Sequence, residues 1–313
     1  MSLFQYDFMI RALVGALVIG LTAPALGIYL VQRRMSLIGD GVGHIALTGV
    51  GIGLLLDRSP VLMAVLVSAV AAVAIELIRE RGRTPGDVAL ALMFYGGIAG
   101  GVMLVGLSGS RSNANLMAYL FGSLTTTSPQ DLTVIVVLAV LVLGTMLVLR
   151  PALFAISHDE EYARVSGLPV RALNLLLAVT TAVTVTISMR AVGLLLVSAL
   201  MVVPVATAQL FSRGFLATML AAMGIGLVAA GSGVWLAGTI DTALGATIVI
   251  LAIGIFLVVA VGAAARRALV RRRAVPAGTA AAVEPCDVVL EPAPTSPTPA
   301  LDLDGPDHAA VPR

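Results

Sequence analysis

Charged residues and cysteine are both scarce in this sequence. Asp, Glu, Lys and Arg make up 12% of the chain, whereas hydrophobic residues make up 59%, and the mean hydropathy is +1.04. A soluble domain carries about 25% charged residues, so the composition argues strongly against a soluble enzyme. The single cysteine, Cys286, has no partner for an internal disulfide, and it excludes a metal cluster of histidines and cysteines.

Long apolar runs account for most of the chain and predict an all-α, polytopic transmembrane helical bundle. Nine runs are long enough to span a bilayer: residues 8–31, 38–56, 61–78, 88–107, 132–149, 172–189, 191–210, 215–236 and 242–264. The number becomes eight if one of the shorter runs is a half-helix. A further stretch, residues 116–124, predicts a short interfacial or re-entrant helix.

The composition divides the chain into two regions. Residues 1–265 are predicted to form the transmembrane domain, and residues 266–313 form a tail that is first basic and then rich in Pro, Ala and Thr. The later part of this tail cannot bury an apolar core, so we expect it to be disordered.

Basic residues are concentrated at alternate segment ends, which predicts the orientation. The arginine pair at 33–34, the loop 79–83, the loop 157–171 and the basic start of the tail all fall on one side when the nine runs are counted. Positively charged loops stay in the cytoplasm, so we expect a cytoplasmic C-terminus and an external N-terminus in the plasma (inner) membrane. Arg11 and Arg190 fall on the other side and are exceptions.

Asp40 and His44 are ionisable residues inside the second apolar run. Their i,i+4 spacing places both side chains on one face of a helix. Counted from Arg34 at about 1.5 Å per residue, His44 lies roughly 15 Å into the membrane, where an ionisable residue is costly and usually faces a pathway. Carboxylate and imidazole together suit zinc or manganese. Alternatively, Asp40 pairs with Arg34, and His44 forms a hydrogen bond between packed helices.

The polar segment 157–171 separates the fifth apolar run from the sixth. Its acidic residues 159–161 predict the first turn of a short helix, because carboxylates favour a helix N-terminus. Gly167 and Pro169 are expected to end that helix.

Two further observations concern transport. Pro204 lies inside the seventh apolar run and is predicted to break or kink its helix. Broken helices line transport pathways, so Pro204 is a candidate pathway residue. The sequence contains no GxxxxGK[ST] loop, so it supplies no ATPase of its own.

Three segments together resemble the membrane (permease) subunits of zinc, manganese and iron ABC importers of the ABC-3 type. RRMSLIGDGVGHIALTGV, residues 33–50, resembles the signature that follows the first helix of that family. DEEYARVSGLPVRAL, residues 159–173, resembles its cytoplasmic segment, and MRAVGLLLVSALMVVPVATAQL, residues 189–210, resembles the helix pair behind it. The resemblance extends over residues 8–264 and leaves only the tail outside.

The signature differs from the family pattern at defined positions. That pattern usually reads Asp-Ala-Leu-Ser-His, with Pro a few residues later. Asp40 and His44 match it, whereas Gly-Val-Gly occupies residues 41–43 and Thr48 replaces the Pro. We expect these differences to alter helix packing and metal preference without removing a ligand.

The resemblance implies that Asp40 and His44 transiently bind the transported metal, which is zinc or manganese, or iron, with no permanently bound cofactor. It implies a homodimer, cytosolic ATP-binding subunits and an extracytoplasmic metal-binding protein, and no nucleic-acid partner. Two protomers would offer four ligands across a two-fold axis, a number that suits zinc. A short cytoplasmic coupling helix would contact the ATPase through Asp159, Glu160, Glu161, Tyr162, Ala163, Arg164 and Gly167.

Three other functions stay open. An ion-coupled secondary metal carrier predicts an inverted repeat, but the Asp40/His44 pattern occurs once in the chain. An ABC permease for a metal chelate, such as a siderophore or cobalamin, would have similar helices, although a buried Asp/His pair suits a bare ion better. A membrane scaffold without transport leaves the intramembrane charges without a role.

Overall fold

The structure is a computed structural model that describes residues 7–80, 86–108, 122, 128–240 and 242–274. These ranges contain α-helices and turns and no strand, so the predicted all-α class is confirmed. In chain order the helices of these ranges are α1 Asp7–Gln32, α2 Ile38–Leu55, α3 Pro60–Glu80, α4 Gly86–Leu107, α5 Pro129–Val148, α6 Arg150–His158, α7 Glu160–Val165, α8 Val170–Val192, α9 Leu194–Gln209, α10 Phe215–Ile240 and α11 Leu244–Ala274. Apart from Gly122, the helix predicted at 116–124 lies outside the described residues.

Eight of these helices are long and apolar enough to cross a membrane, namely α1 to α5, α8, α10 and α11. Helix α9 is also apolar but has only 16 residues. At about 1.5 Å per residue it reaches about 24 Å, which is short of a ~30 Å hydrocarbon core. The predicted eight to nine spans are therefore confirmed, and α9 is the shorter piece.

The ends of several helices follow from local sequence. Helix α5 begins with a capping box, in which the Ser128 hydroxyl accepts from the Asp131 amide and the Asp131 carboxylate accepts from the Ser128 amide, both at 3.1 Å. Two residues after each of helices α1, α2 and α7 ends, the chain passes through a residue in the left-handed region. The amide of the residue that follows it donates to the carbonyl five residues earlier in the chain. The left-handed residues are Arg34, Asp57 and Gly167.

Helices α8 and α9 are separated by Gly193, whose φ of 88° ends the first helix and starts the second. Helix α9 then continues through Pro204, so the helix does not break there, and a kink at this residue stays a prediction. Proline removes one backbone hydrogen bond, but neighbouring helices hold a membrane helix together around it. Here α1, α8 and α10 all pack against α9, and Pro204 is buried.

The interior is built around α1 and α2. Helix α1 packs against α9, α10 and α5, whereas α2 packs against α3, α4 and α8. The chain divides into two compact units, Met1–Ala268 and Leu269–Arg313. Helix α11 continues past the predicted domain boundary to Ala274, and the rest of the tail lies outside the described residues.

Candidate functional site

Helix α2 carries Asp40 and His44, and glycines bring its neighbours close to it. A Cβ atom on Gly97 of α4 would lie 2.6 Å from the carbonyl carbon of His44, and one on Gly49 would lie 2.6 Å from the Cα of Ala64 in α3. Any side chain at these positions would separate the helices, so the glycines fix α2 between α3 and α4 at backbone distance.

Thr48 adds a polar contact to the same interface. Its hydroxyl donates to the backbone carbonyl of Gly97 at 2.9 Å. The residue that replaces proline in the family pattern therefore fastens α2 to α4, one helical turn beyond His44.

The Asp40 and His44 side chains lie side by side on one face of α2. His44 Nε2 is 3.8 Å from Asp40 Oδ1, which is longer than a hydrogen bond. Two ligand atoms that share a tetrahedral zinc ion, each about 2.1 Å from it, stand ~3.4 Å apart. A small side-chain adjustment would therefore let both atoms bind one ion.

Asp40 lines a pocket that opens at the surface of the single chain, and His44 contacts the wall of that pocket through Phe94. The pocket has a volume of about 330 Å³ and is lined by Leu37, Asp40, Leu90, Ala91, Phe94 and Tyr95. The rim residues Leu37 and Tyr95 are 67% and 70% exposed, whereas the His44 side chain is 12% exposed. The Phe94 ring packs edge-on against the His44 ring, with 4.7 Å between centroids. His44 Nδ1 is buried and has no hydrogen-bond partner within the described part of the chain.

This arrangement places two side chains of types that bind metals on one face of α2. Among the described residues, no group of three or more His, Cys, Asp or Glu side chains could hold an ion. A carboxylate that faces lipid is costly, and the Asp40 side chain is 24% exposed on a membrane-length helix. The face that carries Asp40 is therefore one that protein or water covers.

Two expectations for this pair are changed by the geometry. Helix α2 begins at Ile38 after a turn at Arg34, so the helical rise counted from Arg34 is wrong, and the rise from Ile38 to His44 is about 9 Å. His44 thus lies about a third of the way along α2. The depth of His44 in the membrane stays a prediction. Within the described residues, the charged neighbour of Asp40 is His44 and not Arg34.

The second predicted site, the coupling segment, forms a one-and-a-half-turn helix. Helix α7 spans Glu160–Val165, and Asp159 is its N-cap, accepting from the Tyr162 amide at 2.9 Å. Asp159 therefore precedes the first turn that it was predicted to begin. Gly167 ends the helix with a φ of 79°, as predicted. Ala163 is fully buried, whereas Tyr162 and Val165 are 68% and 88% exposed.

Glu160 points into the molecule, where it meets arginines that the sequence did not associate with it. Its carboxylate lies 3.4 Å from Arg33, 3.6 Å from Arg79 and 3.5 Å from Arg164. Arg79 also forms a bidentate pair with Glu76, at 2.6 and 3.1 Å. We call these five residues the Glu160 cluster. Only their charges were visible in the sequence, because they come from three separate segments.

Pro204, the predicted pathway residue, is buried in α9 and does not line the pocket beside Asp40. Arg190, an exception to the charge rule, lies 3.0 Å from Asp131, so its charge is paired within the protein.

Membrane-length helices around an intramembrane Asp–His pair are characteristic of a transport protein. A sequence model of the ABC 3 transport family matches residues 5–263. The chain belongs to that family, and the resemblance found in the sequence is confirmed.

Characterised relatives cover most of this chain. The high-affinity zinc uptake system membrane protein ZnuB of Haemophilus influenzae is 29% identical, over 81% of this chain and 97% of its own length. The manganese import system permease protein ScaB of Streptococcus parasanguinis is 29% identical, over 82% and 91%. Among solved structures, PsaBC from Streptococcus pneumoniae in complex with Fab matches with a TM-score of 0.74 and 27% identity, over 82% and 92%.

Proposed function

We propose that this chain is the membrane-spanning subunit of an ABC importer for a divalent transition metal, zinc or manganese. The observation that carries this proposal is the Asp40–His44 pair, whose facing ligand atoms are 3.8 Å apart beside an open pocket. Oxygen and nitrogen ligands suit both metals, and relatives named for zinc and for manganese support the same substrate class.

The transporting unit is proposed to be a homodimer whose second copy covers this pocket. One chain supplies two ligands, and a second copy related by a two-fold axis would bring the same two, for a total of four. The exposed rim at Leu37 and Tyr95 gives a second copy access to Asp40. Covering this face would also remove the carboxylate from lipid.

The partners follow from the absence of an ATPase motif in the chain. ATP-binding subunits are proposed to dock on the exposed side of α7, where Tyr162 and Val165 present an apolar surface next to Glu161. A separate metal-binding protein would deliver the ion on the opposite side of the membrane.

The C-terminus is proposed to be cytoplasmic. Contacts of Glu160 with Arg33 and Arg79 bring three basic segments to one end of the helices, which supports a common cytoplasmic location. Pairing of Arg190 with Asp131 offsets the cost of an arginine on the outer side.

Metal content measured in cells that lack the gene tests the proposed substrate. We expect cells grown at limiting metal to contain less zinc or less manganese than parental cells, with magnesium unchanged as the control. A tagged chain purified from its native membrane should bring an ATP-binding subunit with it. Normal zinc, manganese and iron contents in the deletion strain would contradict the proposal, and a chain purified without an ATPase would favour a secondary carrier.

A further inference from the structure

The Glu160 cluster joins α7 to the two segments that border α2. Arg33 lies directly after α1, five residues before α2 begins at Ile38, and Arg79 lies in the last turn of α3. A single carboxylate therefore contacts the chain just before α2 and the helix just after it. The Asn174 amide of α8 also donates to Glu160, at 3.5 Å.

The local structure of α7 does not need this carboxylate. Asp159 caps the N-terminus, and the C-terminal end closes through Gly167 and the Leu168 amide, which donates to Ala163 at 3.1 Å. Glu161 is adjacent, has the same charge and is exposed. Both carboxylates lie in the first turn of α7, where negative charge stabilises the helix dipole. Within the described part of the chain, only Glu160 of the two forms ion pairs with residues outside α7.

The contact with Arg33 is buried on the arginine side, whereas the Glu160 side chain is 34% exposed. The Arg33 side chain is 5% exposed, and burial lowers the pKa of its guanidinium, as does the nearby Arg79, whereas Glu76 and Glu160 raise it. An arginine at this burial without a carboxylate would be an uncompensated charge, which is strongly unfavourable. The pair is therefore expected to persist when the surrounding helices move.

The connection from Arg33 to the Asp40–His44 pair is short and is held by hydrogen bonds. Arg34 adopts a φ of 58°, and the Met35 amide donates to the Leu30 carbonyl at 2.9 Å, which locks the turn between the two helices. On the other side, Arg79 is held by Glu76, and α3 contacts α2 through Gly49. A displacement of α7 would thus move both borders of the helix that carries Asp40.

We propose that Glu160 is a positioning residue that connects α7 to Arg33, before α2, and to Arg79 of α3. Through these two contacts, movement of the docked ATPase is transmitted to Asp40 and His44. This inference rests on the proposed function of the chain as an ABC metal importer. It concerns a contact inside this subunit, which is distinct from the docking surface formed by Tyr162 and Val165. Energetic coupling of this kind requires an element whose arrangement both sites influence, and the Glu160 cluster provides the physical link.

The test compares Glu160→Gln with Asp57→Asn, a carboxylate outside both α7 and the Glu160 cluster, in proteoliposomes that contain the chain, its ATP-binding subunits and the metal-binding protein. Radioactive zinc or manganese uptake and ATP hydrolysis are measured on the same preparation. We expect Glu160→Gln to lower the metal transported per ATP about tenfold while hydrolysis continues. Asp57→Asn should keep the wild-type ratio, because its carboxylate is exposed in the turn after α2 and asparagine also tolerates the left-handed conformation.

Arg33→Gln provides a second variant that cannot act through the docking surface, since Arg33 is buried away from it. It should lower the same ratio, and the Glu160→Gln, Arg33→Gln double variant should be no worse than either single variant if the pair acts as a unit. If Glu160→Gln fails to assemble with the ATPase, the result for Arg33→Gln alone decides. A wild-type ratio in Arg33→Gln, or additive losses in the double variant, would overturn the inference. Failure of the wild-type chain to transport either metal would instead overturn the proposed function and this inference with it.

Discussion

Gly97 determines how closely α4 approaches α2 at His44. A Cβ atom at this position would meet the carbonyl carbon of His44 at 2.6 Å and the amide nitrogen of Ile45 at 2.6 Å. These are backbone atoms of a packed helix, so they cannot turn aside as the end of a flexible side chain could. The adjacent Gly96 lies on the exposed side of α4, with nothing within 4 Å of its Cβ position among the described residues.

The neighbouring glycines therefore make a matched pair of variants. Gly97→Ala should push α4 away from α2, cost about 1–3 kcal/mol of stability and reduce metal uptake. Gly96→Ala should be neutral or stabilise the chain by about 0.5–1 kcal/mol, because alanine is the better helix former. Unfolding in mixed detergent micelles and uptake in membranes would measure both effects. Equal behaviour of the two variants would show that α2 and α4 are not packed at backbone distance.

Residue type and spacing were sufficient to select Asp40 and His44, because an i,i+4 pair on a helix shares a face wherever the helix lies. The surroundings of the pair were not predictable. The edge-on ring of Phe94 and the hydroxyl of Thr48 come from contacts between distant segments. The start of α2 at Ile38 agrees with the predicted run, but the turn at Arg34 was not predictable, because a left-handed arginine has no sequence signal comparable to glycine.

At the scale of one element, α7 has two different sides. Its inward side carries Glu160 and the fully buried Ala163, whereas its outward side carries Tyr162 and Val165. Reversing every charge from Asp159 to Arg164 would remove the N-cap and the Glu160 cluster together. A variant that tests docking alone must therefore change only the outward side.

We expect Tyr162→Ala combined with Val165→Asp to weaken ATPase binding, because a desolvated charge would replace apolar contact area. Uptake should fall by about tenfold or more while the chain still inserts, as judged by its level in the membrane. The control is Leu56→Ala, which changes a residue that is also exposed but lies just after the C-terminal end of α2. This variant should have no effect on assembly. An ATP-binding subunit that copurifies normally with the Tyr162, Val165 variant would place the docking surface elsewhere.

The sequence predicts a helix wherever an apolar run is long enough to span the membrane. It predicts where a helix begins or ends only where the chain carries a capping signal. Helix α5 starts three residues before the predicted position because Ser128 and Asp131 form a capping box outside the apolar run. Pro204 was expected to break or kink α9, and packing by neighbouring helices keeps the helix unbroken through it. The predicted boundary between the sixth and seventh runs falls at Gly193, whose φ of 88° other residues rarely adopt.

At the scale of the whole molecule, the segment after α11 is expected to be dispensable for transport. Residues 275–313 are rich in Pro, Ala and acidic residues, a composition that cannot bury an apolar core. A chain truncated after Ala274 should import metal at the parental rate. Truncation after Ala265, which also removes the arginines at the end of α11, should lower the amount of correctly inserted chain. Loss of uptake by the chain truncated after Ala274, with normal insertion, would reveal a regulatory role for residues 275–313.

Metal transport is proposed to require Asp40 and His44 from each of two protomers in the complete transporter. The direct measurement is uptake of radioactive zinc and manganese by proteoliposomes that contain the Asp40→Asn, His44→Ala double variant with its ATP-binding subunits and metal-binding protein. Asp57→Asn, in the turn after α2, serves as the control and should transport normally. We predict that uptake of both metals by the double variant falls by about 100-fold while the subunits still assemble and hydrolyse ATP. Accumulation of both metals at the parental rate would contradict the assignment and leave Asp40 and His44 as residues that pack α2 against α4.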